Sequence, residues 1–161
     1  MSRLLAIYLN DHLAGSTGGL ELARRALGAN RGTPFEAPLE RLATEIAEDR
    51  EALIEVMDRL GVARDPLKVV AGWAAEKVGR LKLNGRIAGY SSLSRVVELE
   101  VLGLGVEGKR AMWRALGDVA AGDTRLEGVD LGGLTRRAER QRRLIEQQRL
   151  RAAAIAFDPR S

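Results

Sequence analysis

The sequence has no cysteine and a single histidine in 161 residues. Without thiols there is no disulfide framework, no thiolate zinc site and no cysteine nucleophile. Long hydrophobic runs are missing too. The apolar start "MSRLLAIYLNDH" is too short for a signal h-region, and no later stretch approaches membrane-spanning length. The expectation is a cytoplasmic chain that does not engage a membrane. There is no nucleophile constellation and no phosphate loop. The glycines of "GLGVEG" at 103–108 lie in a helical pattern with no preceding strand, so they do not form a dinucleotide fingerprint.

What is present suits one helical domain. Hydrophobic residues make up 45% of the chain, enough for a single core at this length. The formal net charge of +4 is unevenly placed, because residues 135–151, "TRRAERQRRLIEQQRLR", hold seven Arg against two Glu. The remainder is slightly acidic. Basicity is therefore a property of one segment rather than of the whole surface.

Five stretches have helical periodicity, and none alternates as a strand does. They cover about 3–28, 38–60, 66–83, 92–120 and 130–157. Gly61 reads as a left-handed cap, Asp65-Pro66 as an N-cap followed by proline, Ser92 or Ser94 as the cap of the fourth stretch and Asp130 as that of the fifth. Short connections between long helices predict an all-α fold: an antiparallel four-helix bundle over about 3–120, with an additional C-terminal arginine-rich helix over about 130–157.

At about 100° per residue, each helix sorts into faces. In the first stretch Leu5, Leu9, Ser16, Leu20, Ala23 and Leu27 lie opposite Asn10, Thr17, Glu21, Arg24 and Arg25, and His12 falls on the apolar side. In the second, Leu39, Leu42, Ile46, Leu53, Val56, Met57 and Leu60 form the core stripe, with Asp49 in phase between Ile46 and Leu53. Glu48 points to solvent and Glu45 to the margin. Buried carboxylates and imidazoles need partners, so His12 and Asp49 are expected to hydrogen-bond mid-bundle, with Arg50 or Tyr8 in support. The stretch 92–120 has two apolar stripes. One is Leu93, Val97, Val101, Leu104, Ala111, Ala115 and Val119; the other is Leu99, Leu102, Val106, Trp113 and Leu116. Both are expected to be covered, one by the core and one by the fifth helix or a second subunit. Gly103, Gly105 and Gly108 interrupt this helix, and close packing is the expected reason. Trp73 and Trp113 are candidate interface anchors.

"YLNDHLAGSTGGLELARR", "LATEIAEDREALIEVMDRLGV" and "VELEVLGLGVEGKRAMWRAL" resemble helices of the ferritin-like superfamily of four-helix bundles, over about residues 3–120. The resemblance implies the fold more than an activity. A di-iron site of that family takes a Glu from each of two helices and Glu-x-x-His from each of the other two. One histidine cannot supply two such motifs. The family's carboxylate in the first helix would fall near Ser16 or Thr17, and the in-phase pair of the second is Ile46 and Asp49. Glu100 and Glu107 remain as carboxylates on one flank of 92–120, with arginines nearby.

Three function classes follow. The first is a metal-free, cofactor-free, non-enzymatic bundle acting by protein association, as a homodimer or with another protein. The second is a divergent metal or small-molecule enzyme centred on His12 and Asp49. The third is a polyanion or nucleic-acid binder using Arg136, Arg137, Arg140, Arg142 and Arg143, although no aromatic residue precedes Phe157 in that segment to stack on bases. The first is the reading the sequence favours.

Overall fold

The computed structural model describes residues 2–65, 90–120 and 122–159. Among these, every regular element is helical: α1 (Arg3–Ala29), α2 (Glu36–Leu60), α3 (Ser92–Ala120) and α4 (Leu131–Ala156), with one 3-10 turn at Thr124–Leu126. The expected helix over 66–83, and Trp73 with it, lies outside the described residues. No helix among the described residues is long and apolar enough to cross a membrane.

Local chemistry sets the helix ends. Gly61 takes the left-handed conformation at φ 68° that closes α2. Asp130 caps α4 by accepting from the Gly133 amide at 2.7 Å. The cap of α3 is Ser91, just before the positions expected: its hydroxyl accepts from Ser94 N at 3.1 Å, and Ser94 Oγ accepts from Ser91 N at 3.3 Å. Two orphan donors are thereby satisfied reciprocally.

Two core clusters fix the helix directions. One joins Leu20, Ala23 and Ala26 near the end of α1, Leu39 and Leu42 at the start of α2, Val96, Leu99 and Leu102 at the start of α3, and Ile145 and Ala152 toward the end of α4. The other joins Leu9 and Leu13, Val56 and Leu60, Met112, Trp113 and Leu116, and Leu131. Helices α1 and α2 are therefore antiparallel, as are α3 and α4, and the two hairpins meet through α1 against α3 and α2 against α4. Helix α2 ends, and α3 begins, at opposite ends of the assembly. The C-terminal helix is not an appendage. It is one of the four helices packed against each other, and its closest neighbour is α3.

The core stripe of α2 is buried as expected, Asp49 included. Helix α1 is rotated from its expected orientation: Asn10, assigned to the polar face, is 7% exposed, whereas His12 is only half-buried. The Asn10 amide donates to the Ala6 and Ala63 carbonyls at 3.0 Å each, and its oxygen accepts from the Asp65 amide at 2.7 Å. This side chain faces inward because it satisfies the backbone leaving α2.

Candidate functional site: a charged cluster between three helices

Asp49 interrupts the apolar stripe of α2, Lys109 lies on α3 between Val106 and Trp113, and Gln141 interrupts the stripe of α4. Packing brings them together. The Asp49 side chain is 1% exposed. Its Oδ1 accepts from Arg137 Nε at 2.6 Å, and its Oδ2 accepts from Gln141 Nε2 at 2.9 Å and from Lys109 Nζ. Lys109 also donates to Gln141 Oε1 at 2.6 Å, and Arg137 reaches outward to Glu48 Oε2 at 2.7 Å. Both carboxylate oxygens of Asp49 are thus saturated by donors from α3 and α4. Burial pushes the Lys109 ammonium below its ordinary range, and the adjacent Asp49 opposes that shift.

The expected bond between His12 and Asp49 is replaced by this cluster. His12 instead lies edge-on to the Tyr8 ring, with centroids 4.6 Å apart. Partial burial lowers its pKa, and Asp11 works against that shift. Arg50, the other expected partner, bonds Thr17 at 3.4 Å and Glu51 at 3.0 Å. The rotation of α1 accounts for the separation, because it takes His12 off the centre of the inward face.

The other sequence candidates are distributed as follows. Glu107 is held below the usual carboxylate range chiefly by Arg110, with Arg142 at 2.6 Å adding to it. Glu100 meets Arg149 at 3.5 Å. Trp113 is 0% exposed and belongs to the core, not to a surface, because it shares the inward stripe of α3. Of the basic candidates, Arg137 pairs with Asp49 and Glu48, Arg142 with Glu107 and Arg136 with Asp130 at 3.9 Å, and all but Arg137 are exposed. Among the described residues, no group of three or more His, Cys, Asp or Glu is placed to hold a metal ion.

Sequence reasoning missed Lys109 and Gln141 as partners of Asp49. A signal was available: each is a polar residue in phase with an apolar stripe, and three interior polar residues on three helices have little to satisfy them except one another.

The outward face of α3 is the other notable surface. Leu104 is 75% exposed, Leu93 46% and Val101 45%, and Ala111 and Ala115 are exposed beside them. One apolar stripe of α3 is therefore covered by the core, whereas α4, one of the two covers expected for the other stripe, leaves Leu93, Val101 and Leu104 exposed. A Cβ added at Gly103 would make ordinary contact with Ile145 at 3.6 Å, and one at Gly105 or Gly108 would meet nothing within 4 Å. The expected close packing at these glycines is thus absent within the chain.

No protein-family model matches the sequence, and no curated protein or solved structure is significantly similar to it.

Proposed function

We propose that this protein is a ferritin-like bundle that acts by association, as a homodimer, and not by catalysis. The observation that carries the reading is the outward face of α3, which presents Leu93, Val101 and Leu104 to solvent along one helix. Exposed apolar residues aligned in a stripe mark interaction surfaces, whereas scattered ones do not. The interior supports the same reading. Donors that would otherwise be available to a ligand at Asp49 are spent on that carboxylate, and Lys109 and Arg137 put positive charge where a metal would sit.

The ferritin-like part rests on topology. Two antiparallel hairpins whose α2 and α3 run in the same direction fit the bundle class with one long crossover, to which ferritin-like folds belong.

Sedimentation velocity over a range of protein concentrations tests the association. A dimer is expected, and Leu104→Glu should convert it to monomer while the helical circular dichroism is retained. A wild-type chain that remains monomeric at every concentration would refute the proposal.

A further inference from the structure

The apolar residues of α3 have an order along the helix as well as a face. At about 100° per residue, Val97, Val101, Leu104, Gly108, Ala111 and Ala115 fall within roughly 80° of one another. Their spacing alternates four and three residues, which is the a/d seam of a coiled coil. The seam runs for about 27 Å, or about five turns. It carries no charge, and its halves differ in size: the first half is Val, Val and Leu, and the second is Gly, Ala and Ala.

Resting on the homodimer reading above, we infer that α3 packs antiparallel on α3 of a second copy, with the two-fold axis at the level of Val106. This register sets every large residue against a small one. Val97 meets Ala115, Val101 meets Ala111, and Leu104 enters the open space over Gly108, where an added Cβ has no neighbour within 4 Å. A two-fold contact must be self-complementary, and a seam that is large in one half and small in the other satisfies this only when its copies run in opposite directions. In a parallel pair, Leu104 would meet Leu104, and Gly108 would face Gly108 across a void.

The flanking surface continues the match. Beside Ala115, an open apolar hollow of ≈ 280 Å³ is lined by Leu4, Leu5, Tyr8, Ala115 and Leu116. In this register the second copy's Leu93, which the monomer leaves 46% exposed, arrives at that end of the seam. The glycine at 108 thus acquires a reason that its own chain does not supply: it is the socket for a leucine of another copy.

The absence of native cysteine allows a direct test. Val101→Cys and Ala111→Cys proteins are purified separately, oxidised alone and as an equilibrated mixture, and resolved on a non-reducing gel; Val97→Cys and Ala115→Cys form a second, independent pair. Disulfide-linked dimer is expected in each mixture and not in any single variant. Cross-linking of Val101→Cys to itself would overturn the antiparallel register. So would mixtures that fail to cross-link while sedimentation still shows dimer, an outcome that leaves association standing with another interface. A monomeric wild-type chain would overturn both the register and the association.

Discussion

Asp49 is the one acidic side chain among the buried residues described, and three residues of other helices, Lys109, Arg137 and Gln141, hydrogen-bond to it. Removing one member of a buried ion cluster leaves the rest unneutralised, which costs more than the cluster contributes. Asp49→Ala should therefore destabilise the fold by about 3–5 kcal/mol in urea titration, and adding Lys109→Met should restore part of that loss. If the double variant were no more stable than Asp49→Ala, the cluster would not be energetically coupled. Tyr90 gives a pH-dependent counterpart. Its hydroxyl accepts from Asn30 Nδ2 at 2.7 Å and donates to Glu98 at 3.0 Å. Burial, reinforced by Glu98 and opposed by the Asn30 hydrogen bond, pushes its pKa up to about 12 from 10.0. The fold prefers the neutral phenol, so this contribution is fully present below pH 10.0 and is lost as pH rises toward about 12. Absorbance at 295 nm should show a phenolate step near pH 12 that Tyr90→Phe removes. At this scale, the burial of Asp49 was legible in the phase of one helix. The phase of Lys109 and Gln141 was legible too, but their pairing with Asp49 also depends on how neighbouring helices are rotated.

At the scale of the element, periodicity located the four described helices to within about two residues, since Gly61 and Asp130 punctuate the chain chemically as well as by pattern. Orientation was recovered well for α2, where the apolar stripe is narrow. It was recovered poorly for α1, whose Leu, Ile and Ala residues occupy a wide arc, so that sequence alone does not centre its inward face. Helix α3 carries a separate lesson. Its glycines lower helix propensity without relieving crowding inside the chain. Gly105 is exposed, lies off the apolar seam and has open space around it, so Gly105→Ala should raise stability by about 1 kcal/mol in the same urea titration. A loss of stability instead would reveal a backbone requirement at this position.

Across the whole molecule, the all-helical class was legible, while the standing of the arginine-rich segment was not. It was expected as a helix added to a four-helix bundle over about 3–120, yet Leu131, Ala138, Ile145 and Ala152 place α4 in both core clusters. The apolar stripe of this helix can be read beneath its seven arginines, but a stripe does not say which neighbours will cover it. The hairpins α1–α2 and α3–α4 pack more extensively within themselves than against each other. The boundary between them is thus where the molecule would part, and the Asp49 cluster lies across it. Water cannot enter that boundary gradually, because a partly hydrated carboxylate loses its cations before it gains a full solvent shell. Separation of the hairpins should consequently be cooperative. Amides at the centre of α2 and α4 should therefore exchange together, while those at the helix ends exchange by fraying.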